Sequence, residues 1–131
     1  MAFYKDMLKI GERLEDMGYK VLYPESSLIM KKRNDFEPSH FKDAITPAQR
    51  GKFIKLHFDK ILKSDSILVI NKTKNGIRGY IGANVLMEMT IAFSSGVKIY
   101  ILHPFSKKQP FQEEIFATSP TFLNGHLERL K

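Results

Sequence analysis

The chain has 131 residues, a formal net charge of +7, 43% hydrophobic and 27% charged residues, and no cysteine. That length fits a single domain, residues 1–131, with a real core, and the composition is that of a soluble globular protein. Absence of cysteine excludes a disulfide framework and a thiolate metal site, and no stretch approaches the roughly 18 apolar residues that cross a bilayer.

The N-terminus lacks the long apolar region of a signal peptide, so the expected location is the cytoplasm, with no membrane partner. The basic residues are dispersed apart from Lys31-Lys32-Arg33 and Lys107-Lys108. They lack the interleaved aromatics that single-strand binders use. This pattern argues against nucleic acid and suits a solvated surface or a small anionic ligand such as a nucleotide.

Phe3, Met7, Ile10, Leu14 and Met17 recur at steps of four and three, one apolar face of a helix that Gly18 ends. Tyr19-Lys20-Val21-Leu22-Tyr23 reads as a short strand stopped by Pro24. Residues 25 to 46 are polar and irregular, and are expected to form a long loop with short structure at most around Ser27 to Met30. Thr46-Pro47 supplies an N-cap and a first-turn proline for a helix running to about Lys63. A strand at 66–70 follows, then a loop from Asn71 to Gly82 holding Gly76 and Gly79. The next helix carries Glu88 and ends near Gly96, before a strand at 98–102 that His103-Pro104 stops. A short helix around Gln112 to Ala117, a strand at Thr121-Phe122-Leu123 and an Asn124-Gly125 turn complete the chain. Strands alternating with helices predict an α/β fold, a three-layer parallel sheet with helices on both faces.

Open α/β sheets take ligands at the carboxyl ends of their strands. Asn71 falls there, and Asn84 and Glu88 stand four apart on the helix that follows, hence on one face. The same spacing, extended to Ser95, equally describes the solvent stripe of a helix packed on a sheet. The glycines form neither GxGxxG nor a P-loop. His40, His57, His103 and His126 lack metal-ligand spacing, so neither a metal nor a cofactor is expected.

The stretches Ser64-Asp65-Ser66-Ile67-Leu68-Val69-Ile70-Asn71, Tyr80-Ile81-Gly82-Ala83-Asn84-Val85-Leu86-Met87-Glu88-Met89-Thr90-Ile91-Ala92 and Lys98-Ile99-Tyr100-Ile101-Leu102 resemble the nucleoside 2-deoxyribosyltransferase-like superfamily. So do Gly18 to Pro24 and Leu123-Asn124-Gly125. The resemblance implies a Rossmann-like or flavodoxin-like sheet, a nucleoside or nucleotide ligand, and assembly as a homodimer or higher oligomer. It aligns Glu88 with the nucleophile of the family's Glu-x-Gly-x-Ala motif and Ala92 with its alanine, while Thr90 stands at the glycine. Asn71 stands where the family carries an acid after the preceding strand, Gly82 at a second acid and Asn84 at a glycine. Members open with an apolar strand and a Gly-Ser loop. Met1-Ala2-Phe3-Tyr4 already reads as helix, so the first strand is expected to be missing, with an altered sheet or self-association in compensation.

The implied reaction is cleavage or transfer of an N-glycosidic bond through a covalent glycosyl-glutamate at Glu88. Tyr4, Asn71, Gly82, Asn84 and Asn124 are the candidate substrate contacts. The alternative is a non-catalytic nucleotide-binding or regulatory module of the same fold.

Overall fold

The computed structural model describes residues 4–24 and 46–131, and the chain divides into two compact units, Met1–Lys60 and Ile61–Lys131.

In the first unit, helix α1 spans Tyr4–Asp16. Its end is a Schellman motif: Tyr19 N–H donates to Leu14 O and Gly18 N–H to Glu15 O, each at 3.0 Å. Gly18 takes the left-handed φ of +98° that this closure requires. The strand expected at Tyr19–Tyr23 is not formed; these residues have no ladder partner among the described residues. Tyr23 serves other contacts instead. The Tyr23 ring lies against Gly11, where an added Cβ would come within 2.6 Å of it. The Tyr23 hydroxyl donates to Glu15 Oε1 at 2.7 Å, and its carbonyl accepts from Lys60 Nζ at 2.6 Å. The Tyr23 phenol is pushed up to about 12, first by desolvation, then by the Glu15 hydrogen bond and the charges of Glu15 and Glu12. The long loop expected over 25 to 46 lies almost wholly outside the described residues, as does His40.

Helix α2, Pro47–Leu62, begins as its sequence predicts. Thr46 Oγ1 accepts from Gln49 N–H at 3.1 Å and Gln49 Oε1 accepts from Thr46 N–H at 2.8 Å, a reciprocal capping box.

The second unit is a three-stranded parallel sheet with helices: β1 (Ser66–Val69), α3 (Ala83–Ser94), β2 (Lys98–Ile101), α4 (Gln112–Ala117) and β3 (Thr121–Phe122), then a 3-10 turn at Leu127–Arg129. The strand order is β1-β2-β3. Ser66 pairs with Lys98 and Val69 with Ile101, while Tyr100 pairs with Thr121. Central strand β2 is buried on both sides, through Ile99 and Ile101 one way and Tyr100 the other. Right-handed crossovers in one direction put α3 and α4 on the same face, and the two helices touch. Met89 and Ala92 of α3 and Ile115 of α4, all fully buried, fill the space beneath.

The architecture is thus mixed α/β and consistent with a small Rossmann-like three-layer fold. No strand precedes β1 among the described residues. Nor is any described helix long and apolar enough to cross a membrane.

Candidate functional site

An open cleft of about 430 Å³ is lined by Asn71, Lys72, Thr73, Arg78, Gly79, His103 and Pro104. These residues follow the carboxyl ends of β1 and β2, so the cleft belongs to the carboxyl edge of the sheet. The described strand order runs without reversal, so no topological switch point opens it. A hairpin does. Asn75 and Gly76, at φ +53° and +73°, make the two left-handed residues of a type I′ turn. Lys74 and Ile77 exchange backbone hydrogen bonds of 3.1 and 3.0 Å across it. Tyr80 N–H donates to Lys72 O at 3.0 Å, so Lys72 lies on one leg and Arg78 on the other.

Buried amides brace the floor. Asn71, fully buried, accepts from His103 N–H at 2.9 Å through Oδ1. Its Nδ2 donates to His103 O at 2.7 Å and to Gly79 O at 3.1 Å. Gln109, also buried, donates to Gly79 O at 2.6 Å and accepts from Ile81 N–H at 3.0 Å. Ser106 N–H donates to Arg78 O at 3.1 Å. Gly79, at φ +64°, is hemmed in: an added Cβ would overlap Pro104 O and stand 2.9 Å from Phe105 Cα.

The cleft's electrostatics are one-signed, for Lys72, Arg78 and His103 line it and no carboxylate does. Burial, and after it the charge of Lys72, holds the His103 imidazole below its ordinary value. The two side chains are therefore within electrostatic reach. Lys74 stands over the Tyr80 ring, 5.6 Å from its centroid.

Of the residues anticipated from sequence, Asn71 lines the cleft, but both its Nδ2 donors and its Oδ1 acceptor are committed to backbone. Gly82 is the extended N-cap residue of α3, at φ −89°, with the Tyr80 ring beside it. Asn84 is exposed in the first turn of α3. Glu88 is half-buried two positions from the solvent-facing Thr90. It lies on the face of Asn84, one turn from the buried Ala92 and next to the buried Met89, at the border between the wet and the buried sides of α3. It does not line the cleft. Asn124 is exposed in a left-handed turn whose Gly125 lies beside His103, with 3.7 Å between His103 Nδ1 and an ideal Cβ at Gly125. Tyr4 starts α1 in the other unit, and its side chain is outside the described set.

Sequence reasoning missed Lys72, Arg78, His103 and Gln109. The Asn75-Gly76 dipeptide, a hairpin signal, was the available clue that Lys72 and Arg78 come together. No group of His, Asp or Glu suited to a metal occurs among the described residues. No family model matches the chain, and no curated protein or solved structure is significantly similar to it.

Proposed function

We propose that the chain is a nucleoside- or nucleotide-binding α/β domain whose ligand occupies the cleft of Asn71, Lys72, Arg78, Gly79 and His103. The observation that carries this reading is the cleft's position outside the carboxyl ends of two adjacent parallel strands, where open α/β sheets take ligands. The nucleoside class comes from the resemblance of residues 64–71, 80–92 and 98–102. Thermal-shift titration with the four deoxynucleosides and their 5′-monophosphates tests it, because a ligand of the native state raises stability by mass action. Stabilisation by at least one, weakened by Lys72→Met, is the expected result. No stabilisation by any of the eight sinks the reading.

A second reading adds chemistry at Glu88. It is favoured by the residue's half-buried place beside the sheet-facing stripe of α3 and by its being the sole acid between Asp65 and Glu113. A Glu88 oxygen forms a bond to C1′ of a deoxyribose as the C1′–N bond breaks and its electron pair leaves with the base, which takes a proton from water. Water, or the nitrogen of a second base, then displaces the carboxylate from C1′. Because Glu88 does not line the cleft, this reading requires a ligand that reaches beyond the cleft's lining to α3. Free base, followed by chromatography, is expected from wild type and not from Glu88→Ala; equal release from both removes Glu88 from the reaction.

A further inference from the structure

We infer that Asn75 is a site of spontaneous covalent modification. The Gly76 nitrogen closes on the Asn75 side chain and converts the hairpin tip to aspartate and isoaspartate, while the fold protects the identical dipeptide Asn124-Gly125. The chemistry is intramolecular and consumes only water. As Gly76 N–H loses its proton, the nitrogen forms a bond to Asn75 Cγ, the Cγ–Nδ2 bond breaks, and the amide nitrogen leaves with that proton as ammonia. Water then opens the cyclic imide. Attack at Cγ restores the main chain with an aspartate side chain. Attack at the main-chain carbonyl carbon routes the chain through Cβ and Cγ, as isoaspartate. A following glycine leaves the attacking nitrogen least shielded, and such asparagines are thermolabile.

Two turns of one conformation differ in the group that must react. Asn75 and Gly76 stand at φ +53° and +73°, Asn124 and Gly125 at +53° and +82°. Ile77 N–H on Lys74 O closes the first turn and His126 N–H on Leu123 O the second, each at 3.0 Å. Both asparagines and both glycines are exposed. Gly125 N–H, however, donates to Leu102 O at 2.6 Å, and the fully buried Leu123 before the turn donates to Ile101 O at 2.8 Å. The second nitrogen is thus locked to the end of β2. Gly76 N–H donates to no protein group among the described residues, and open space lies where its Cβ would stand. Opening the first tip breaks only the isolated Lys74–Ile77 bridge.

Charge acts in the same direction. No acid occurs between Asp65 and Glu88, a span that holds Lys72, Lys74 and Arg78. Cations near a nitrogen that turns anionic, and near the carboxylate that forms, favour both. The product puts a negative charge on a hairpin that had none. Isoaspartate also lengthens the main chain of a two-residue loop whose geometry sets the register of its legs. Those legs carry Lys72, Thr73, Arg78 and Gly79 of the cleft, so the modification alters the cleft wall.

The test incubates the full chain folded at pH 6 and pH 8.5, and unfolded in guanidinium chloride at pH 8.5. Samples are digested with pepsin in acid, where ring closure stops. Peptides spanning positions 75 and 124 are then resolved by mass spectrometry with electron-transfer fragmentation, which separates aspartate from isoaspartate. In the folded chain, position 75 is expected to convert at least about fivefold faster than position 124, the factor that one retained hydrogen bond contributes. Its rate should rise with pH. In denaturant the two rates should come together, because the fold supplies the difference. Asn75→Gln should remove the fast conversion and leave position 124 unchanged. Equal rates at the two positions of the folded chain, or a faster rate at 124, overturn the inference. So does a gap that survives in denaturant, which would belong to local sequence. An unreactive position 75 in a folded chain whose denatured form converts overturns it as well.

Discussion

The side-chain amides of Asn71 and Gln109 donate to a single carbonyl, that of Gly79, at 3.1 and 2.6 Å. One amide comes from the end of β1 and the other from the loop after β2, and together they satisfy both lone pairs of a buried acceptor. This convergence pins the hairpin to the sheet edge and fixes the floor of the cleft.

Replacing Asn71 therefore tests a structural role before a ligand role. Asn71→Ala leaves His103 N–H and His103 O without their partner in a mostly dry place, an expected loss of about 2–4 kcal/mol. Asn71→Asp is expected to cost more. Its carboxylate can accept from His103 N–H but turns oxygen toward the carbonyls of His103 and Gly79, where Nδ2 now donates. Urea denaturation at pH 7.5 checks both; an Asn71→Asp protein as stable as wild type would show that these carbonyls do not dictate the amide.

Two glycines of the same hairpin separate backbone strain from crowding. Gly76 is left-handed at φ +73° with open space where a Cβ would go, so Gly76→Ala is expected to cost about 1–2 kcal/mol, the left-handed penalty alone. Gly79 is left-handed too, but its Cβ would run into the backbone of Pro104 and Phe105. Adding the cost of overpacking, Gly79→Ala is expected to lose about 3 kcal/mol or more. Equal midpoints for the two variants in urea would contradict the close approach at Pro104.

Much of this layout is readable from sequence, and the exceptions have physical causes. The apolar runs of β1 and β2, the Thr46-Pro47 helix start and the Asn124-Gly125 turn are local signals, and the structure forms each. Tyr19–Tyr23 carries β-forming residues but has no described neighbour to pair with, and Tyr23 spends its polar groups on Glu15 and Lys60 instead. Lys72 and Arg78 look like dispersed surface charge in one dimension and become neighbours of a cleft only when the hairpin closes. Gln109 carries no local signal, because its partners are main-chain atoms near Gly79 and Ile81. For Glu88, sequence locates the helix but not the depth of the side chain.

His103 gives the chain a pH response with a definite sign. Burial, then the charge of Lys72, lowers its proton affinity in the folded state from the ordinary 6.5. As pH falls through 6.5 the unfolded chain takes up a proton that the folded chain refuses, so this contribution to stability is present above 6.5 and is lost as pH drops toward the lowered folded value. His103→Gln is expected to flatten that part of the stability curve, and Lys72→Met to narrow it by removing the second cause. Denaturation midpoints between pH 5 and 7.5 measure the effect. A wild-type slope unchanged in His103→Gln would assign it to another group.

Glu88 offers the sharpest separation of fold from chemistry. A carboxylate and a carboxamide have nearly the same shape, and Glu88 lies beside the buried stripe of Met89 and Ala92 rather than within it. Glu88→Gln should thus leave stability within about 1 kcal/mol of wild type, as for most partly exposed substitutions. It should also leave ligand-induced stabilisation intact, because Glu88 does not line that cleft. A nucleophile, by contrast, cannot survive the change: the amide oxygen does not form the glycosyl ester, and base release should fall to the uncatalysed level. Measured together on one protein, unchanged melting, unchanged ligand-induced stabilisation and abolished base release would make Glu88 the reacting group. Unchanged base release would remove Glu88 from the reaction and leave it an ordinary helix charge at the margin of the sheet.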